Sequence, residues 1–288
     1  MKLKGRQDMT TQGKSTPQPY DWTYSVFSWF GYFMPFEERI RAIKQAGFDA
    51  VMLSWEDEMA PYAYPKEAFP DYVRSQGLAI TNFHAPYIGY NQIWEKTIAE
   101  NADYVAAFVD MIADCARFDV PAIVVHTNDL DLDNDGMRLD NGYAFFSELA
   151  EAGERYGVDI AVENVSRTFL LRYVLDRIDT PRFGMCYDVS HDYMLHCGRG
   201  KLLREYGDRL KALHLSDNDL NLDRHMIPGE GLVPEAEVVR ALKALDWHIL
   251  SFEVTASGKW REKEPIEFLR ALRGSMAPIL AEAEKYDE

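Results

Sequence analysis

The stretch LDRHMIPGEG, residues 222–231, sets Asp223 and His225 two apart and follows them with Pro228, Gly229 and Gly231. In an extended segment, residues two apart point the same way, so Asp223 and His225 can approach one ion together. Gly229 and Gly231 then allow tight backbone close to that ion. Groups of the same two types recur along the chain: His84, His126, Glu163, Asp188 with His191 three residues on, His214 and Glu253. Imidazoles and carboxylates are ligand types of divalent metals.

The elements that must position these groups are short apolar runs: 23–29, 50–55, 78–85, 122–127, 160–164, 183–188, 210–216 and 249–254. Between them lie segments with apolar residues at helical spacing, such as PFEERIRAIKQAG, YAFFSELAEAGERYG and PEAEVVRALKAL. Pro35, Pro234 and Pro265 suit first helical turns, and Gly47, Gly77 and Gly157 suit helix ends just before the next strand. Eight strands alternating with helices, apolar along most of their length, predict a single-domain α/β protein, a (β/α)8 TIM barrel over 21–288. A doubly wound sheet fits less well, because no GxGxxG follows the first or second strand. Residues 1–20, poor in large apolar side chains, read as a flexible tail.

In such a barrel the C-terminal ends of the strands converge on one mouth, where active sites lie. His84 ends strand three, His126 strand four, Glu163 strand five, Asp188 strand six, His214 strand seven and Glu253 strand eight; Asp223 and His225 follow strand seven. A single histidine or glutamate at a strand end is more often capped, solvated or paired with a neighbouring cation. Six consecutive strands ending this way are another matter. Glu163, Asp188 and Glu253 would repel one another in one mouth, and a metal ion supplies the compensating charge. His196 and His248 fall away from strand ends and read as structural.

The chain has 288 residues and a formal charge of −16, which argues against broad affinity for nucleic acid. No run approaches the ~18 apolar residues of a membrane span, and the polar opening lacks the apolar segment of a secretory signal, so a cytoplasmic protein is expected. Cys115, Cys186 and Cys197 form no CxxC pair and read as buried or incidental thiols.

Taken in order, NFHAPY, VVHT, VENV, CYDVSH, HLSDND, DRHMIPGEG and SFEV resemble the xylose-isomerase-like TIM-barrel superfamily, which holds sugar phosphate isomerases and epimerases and the zinc-dependent AP endonucleases. The resemblance covers residues ~22 to ~275, the barrel as a unit. Singly each motif is weak; as a set they are specific. The resemblance to the epimerases implies one Zn, Mn, Co or Mg ion held by Glu163, Asp188, His214 and Glu253. The resemblance to the endonucleases implies further ligands at His84, His126, His191, Asp223 and His225, and up to three ions per chain. All nine positions are filled. Two departures count against DNA repair: the loop after strand two, SWEDEMAPYAYP, is acidic where the endonucleases are basic and amide-rich, and only LSDNDLNL separates His214 from the Asp-x-His pair.

Two mechanisms follow. In a metal-dependent sugar isomerase or epimerase, the ion lowers the cost of the enediolate, Glu163 and Glu253 form the acid–base pair that the resemblance suggests, and His191 stabilises the developing oxyanion. Trp29, Trp55, Phe83 and Tyr87 either wall the sugar pocket or pack the barrel. No phosphate site stands out except Arg224 and Lys259 with Arg261, so a non-phosphorylated sugar or polyol-derived keto acid is as compatible as a sugar phosphate. In a multinuclear zinc hydrolase acting on phosphodiesters, the ions generate hydroxide and Glu163 bridges them. A metal-free binding protein is the third reading, disfavoured because clustered carboxylates without a cation cost stability. The expected partner is a small carbohydrate, not nucleic acid or a membrane, with a homodimer as the default assembly. Specificity is expected in loops 56–66, 87–96, 128–142 and 255–264.

Overall fold

Every one of the eight apolar runs forms a strand in the computed structural model, which describes residues 20–285 except 130, 131, 133–135, 196 and 197. The strands are β1 (Thr23–Phe27), β2 (Ala50–Ser54), β3 (Ala79–His84), β4 (Ala122–His126), β5 (Asp159–Glu163), β6 (Phe183–Asp188), β7 (Leu210–His214) and β8 (Ile249–Phe252). The expected tail up to residue 19, His196 and Cys197 lie outside the described residues.

Each of β1 to β6 pairs in parallel with the next strand, and β1 pairs with β8. Leu215 joins the remaining edges: its N–H donates to the Ser251 carbonyl at 2.8 Å and its carbonyl accepts from Glu253 N at 3.3 Å. Around the sheet run α1 (Phe36–Gln45), α2 (Phe69–Ser75), α3 (Gln92–Glu95), α4 (Ala102–Arg117), α5 (Leu139–Tyr156), α6 (Thr168–Leu175), α7 (Val189–Met194), α8 (Lys201–Tyr206), α9 (Glu235–Ala244) and α10 (Pro265–Glu284). The architecture is the single-domain (β/α)8 barrel that the cadence of apolar runs predicts.

Local chemistry sets the boundaries. Pro35 and Pro234 stand immediately before α1 and α9, and Pro265 opens α10, where a missing N–H costs nothing. Gly157 ends α5 in the left-handed region at φ +73°, and Gly47 and Gly77 turn the chain into β2 and β3 in the same way.

Outward-facing strand residues such as Ile123, Val125, Ile160 and Val162 pack against helix residues including Phe108, Ile112, Leu149 and Val174, forming the main core. Inward-facing Val124, Ala161, Cys186 and Ala212 make a separate small cluster on β4 to β7. Two residues further along each strand, on the same inward face, come His126, Glu163, Asp188 and His214. Small side chains thus floor the mouth, and the polar groups stand on that floor. Among the described residues, no helix is long and apolar enough to cross a membrane.

Trp55 and Phe83 settle on the packing side of their two alternatives. Their rings stack at 3.9 Å, fully buried, with Trp55 Nε1 donating to Asp114 of α4 at 3.1 Å. Trp29 and Tyr87 lie instead in loops after β1 and β3, and both are exposed.

Candidate metal centre

At the C-terminal end of the barrel, Glu163 is the hub. Its Oε2 lies 3.4 Å from His84 Nε2, 3.4 Å from His126 Nε2 and 3.2 Å from His214 Nδ1, while Oε1 lies 3.3 Å from His191 Nδ1. Glu253 reaches the same His214 nitrogen at 2.9 Å, and Asp188 Oδ2 approaches it at 4.0 Å. Glu163, Asp188 and His214 are at most 1% exposed. Each arrives because a strand ends there with its last residue pointing inward.

Two sets of ligand atoms converge within 4.8 Å: Glu163, Asp188, His214 and Glu253, and His84, Glu163 and His214. Buried polar groups are normally hydrogen-bonded, yet Glu163 Oε2, Asp188 Oδ2, His84 Nε2 and both ring nitrogens of His214 are buried without a hydrogen-bond partner. A cluster of unsatisfied lone pairs on mixed nitrogen and oxygen donors is what a divalent cation satisfies. These residues could hold a metal ion.

The outer histidines point to the same conclusion. His84 Nδ1 lies 2.7 Å from the Ala85 carbonyl, His191 Nδ1 3.1 Å from the Asn164 carbonyl and His225 Nδ1 2.9 Å from the Glu253 carbonyl. A carbonyl accepts only, so each Nδ1 carries a hydrogen; His84 then turns its Nε2 towards Glu163, whereas His191 faces Glu163 with Nδ1 itself. His191 Nε2 and His225 Nε2 both face Asp223 Oδ2, at 3.0 and 3.2 Å. Asp223 is oriented in turn by the Ser190 hydroxyl at 3.2 Å, and Ser190 by Asn218 Nδ2 at 2.6 Å.

Charge is finely balanced here. Burial, reinforced by Glu163, Asp223 and Glu253 against the pull of His191, pushes the Asp188 carboxyl up to about 7. Burial also opposes ionisation of Glu163 and Glu253, but the surrounding histidines together outweigh it, His214 and His126 with His191 at Glu163 and His214 with His225 at Glu253; Glu163 falls well below the usual carboxylate range and Glu253 to about 2. His225 rises to about 10: burial works against protonation, and Asp223 and Glu253 overcome it. The imidazoles supply the positive charge that the carboxylates require.

Two sequence expectations change. Asp223 and His225 converge, but not through an extended segment: His225 has φ +46°, which turns its ring back towards Asp223. Gly229 and Gly231 serve another group. Their N–H groups donate to Asp217 Oδ2 at 3.1 and 2.6 Å, and a Cβ on Gly231 would stand 2.5 Å from Asp217 Oδ1. His225 also falls outside the ring of histidines around Glu163, joining the centre through Asp223 and Glu253. His248 has the structural place expected of it, stacked on Tyr20 and paired with Asp246.

The reading of strand ends missed Asn164. Its side chain accepts from Asp188 N at 2.7 Å and donates to the Asp188 carbonyl at 2.8 Å. Its own carbonyl receives His191 Nδ1. An amide directly after a strand-end carboxylate, Glu163-Asn164, is the only sequence signal for it.

A closed parallel barrel with a carboxylate–imidazole cluster at its C-terminal mouth defines a class, and the comparisons agree with it. The chain matches the xylose isomerase-like TIM barrel family over residues 40–272 and belongs to that family. It is 24% identical over 187 residues to the uncharacterized protein y4fM of Sinorhizobium fredii, covering 59% of this chain and 60% of that protein's length. It is 24% identical over 228 residues to fructoselysine 3-epimerase of Shigella flexneri, covering 72% and 80% of the two chains. Among solved structures, a D-tagatose 3-epimerase-like protein superposes with a TM-score of 0.74 at 20% identity, over 92% of this chain and all of the other, a likeness of fold.

Proposed function

We propose that this protein is a metal-dependent sugar epimerase. The observation that carries the reading is the placement of two carboxylates, Glu163 from β5 and Glu253 from β8, against one imidazole nitrogen of His214 at 3.2 and 2.9 Å. Two acid–base groups arriving from strands separated by β6 and β7 suit removal of a proton from one face of a carbon and its return to the other. Similarity to fructoselysine 3-epimerase supports the same chemistry.

In this reading Glu163, Asp188, His214 and Glu253 hold one divalent ion, with zinc, manganese, cobalt and magnesium all compatible with the donor set. A bound ion supplies Lewis-acid polarisation of a carbonyl and the adjacent hydroxyl. Glu163 and Glu253 take and return the carbon-bound proton at their free oxygens. Asp188, fixed by Asn164, keeps the site anionic. His191, held between the Asn164 carbonyl at Nδ1 and Asp223 at Nε2, stands at the edge of the cluster to stabilise oxyanion charge.

The grouping of His191 and His225 on one Asp223 oxygen favours a second reading, a multinuclear zinc hydrolase. The acidic loop after β2 and the charge of −16 weigh against a nucleic-acid substrate.

One experiment separates the two. The protein, reconstituted with each of the four metals, is incubated with a panel of ketoses in D2O while proton exchange at the carbon beside the carbonyl is followed by NMR. Abasic duplex DNA is assayed in parallel. Metal-dependent exchange that falls about 10²–10⁴-fold in Glu163→Gln and Glu253→Gln is expected. Incision of the DNA without ketose exchange overturns the epimerase.

A further inference from the structure

The loops that follow β7 and β8 line an open cavity of about 480 Å³, bordered by Arg224, Met226, Glu230, Thr255, Lys259 and Trp260 among others. This is within the size range of small-molecule sites. The cavity lining is next to the candidate centre along the chain. Arg224 and Met226 flank His225 in sequence, Thr255 lies two residues past Glu253, and Thr255 N donates to the His225 carbonyl at 2.9 Å.

The lining has a definite chemistry. Trp260 is held in place: its Nε1 donates to the Glu230 carboxylate at 3.1 and 3.3 Å, its carbonyl accepts from Tyr32 Oη at 2.5 Å, and its ring meets Phe268 edge-on at 5.7 Å. Lys259 Nζ pairs with Glu230 at 2.8 Å and lies 5.0 Å from the indole centroid. Arg224 pairs with Asp219. Both cations therefore already face a carboxylate, leaving no concentrated positive charge to bind a phosphate dianion. What the cavity offers is an indole surrounded by charged and hydroxyl hydrogen-bonding groups. A pyranose presents the complementary surface, an apolar C–H face rimmed by hydroxyls.

We propose that this cavity is a subsite for a second sugar ring, and that the substrate is a non-phosphorylated glycosylated ketose, the ketose at the carboxylate cluster and the glycosyl group beside Trp260. The proposal rests on the epimerase reading and adds the substrate class to it.

Calorimetry on the full chain loaded with Mn2+ tests it, with D-fructose, isomaltulose (glucosyl at O6) and lactulose (galactosyl at O4) as probes. At least one disaccharide is expected to bind ten-fold or more tightly than D-fructose, and Trp260→Ala to collapse that ratio to about one. If Trp260→Ala does not fold, Glu230→Ala and Lys259→Ala, both at exposed loop positions, are expected to reduce the ratio several-fold. Metal-dependent binding of D-fructose with no gain for either disaccharide, or an unchanged ratio in all three variants, overturns the subsite and leaves the epimerase standing. Failure of all three sugars to bind in a metal-dependent way overturns the epimerase reading and the subsite with it.

Discussion

Asn164 and Asp188 hold each other by two hydrogen bonds, Asp188 N to Asn164 Oδ1 at 2.7 Å and Asn164 Nδ2 to the Asp188 carbonyl at 2.8 Å. The pair ties the end of β5 to the end of β6, and so fixes two carboxylates of the cluster relative to each other. Partners of this kind set ligand orientation, and losing one costs about 10–100-fold in metal affinity. Asn164→Ala is therefore expected to weaken Mn2+ or Zn2+ binding by about that factor. Competition with a chromogenic chelator measures it, and unchanged affinity would show that Asp188 is held by β6 alone.

Metal uptake is expected to depend on pH through Asp188. Its carboxyl, pushed up to about 7 mainly by burial, must give up its proton to act as a ligand. Below pH 7 each binding event then releases one proton more than at pH 8 and affinity falls; above pH 8 this contribution of Asp188 vanishes, leaving the proton that His214, held well above the usual imidazole range, must also give up. Titrations in two buffers of different ionisation enthalpy, at pH 6 and pH 8, read the difference directly.

A second carboxyl pair governs the stability of the loop that carries Asp223 and His225. Asp217 accepts N–H groups from Asn218, Gly229, Gly231 and Val233 at 2.6–3.1 Å. Burial and the neighbouring Asp217 then push the Glu235 carboxyl up to about 8. The unfolded chain loses this proton near pH ~4.3. Between roughly pH 4 and 8 the unfolded state thus binds fewer protons than the folded one, so this group lowers stability as pH rises and adds nothing further above its folded value. Glu235→Gln keeps the acceptor for Gly229 N and removes the titration. Its melting temperature should match that of the unaltered protein near pH 4 and exceed it at pH 8.5; parallel curves would reject the assignment.

Arg39 on α1 is a buried cation, 1% exposed, whose carboxylate partner is Glu58 in the loop after β2. Burial lowers its guanidinium to about 10. Removing one partner of a buried ion pair leaves an uncompensated charge, a loss of about 3 kcal/mol or more. Glu58→Gln should therefore lower the denaturation midpoint clearly, whereas Glu56→Gln, an exposed neighbour in the same loop, should not. Urea unfolding of the two variants makes the comparison.

Much of this protein is legible in its sequence because a parallel barrel repeats one simple pattern. Strands buried on both faces must be apolar runs, helices between them must carry an apolar stripe, and prolines and glycines mark the ends. All eight runs became strands, with boundaries that differ by at most about two residues. The strand-end groups His84, His126, Glu163, Asp188 and His214 were visible for the same reason, since a residue type that cannot tolerate the core stands where the strand opens to the mouth.

Side-chain partners were decided by tertiary structure alone. Trp55 and Phe83 have the residue types of a sugar pocket, but Phe83 alternates with inward-facing His84 along β3, and Trp55 stacks on it and bonds Asp114 of α4. Gly229 and Gly231 follow the Asp-x-His pair in sequence, yet fold around Asp217, because a loop with φ above zero at His225 and Gly229 reverses direction. Asn164 bridges Asp188 across 24 residues of chain, and Trp260 meets Glu230 across 30. Local sequence determines which groups a strand end or a turn can present, because propensity and burial act over a few residues. Which of those groups share a proton, a hydrogen bond or an ion is set by contacts between distant segments, and these exist only once the barrel has closed.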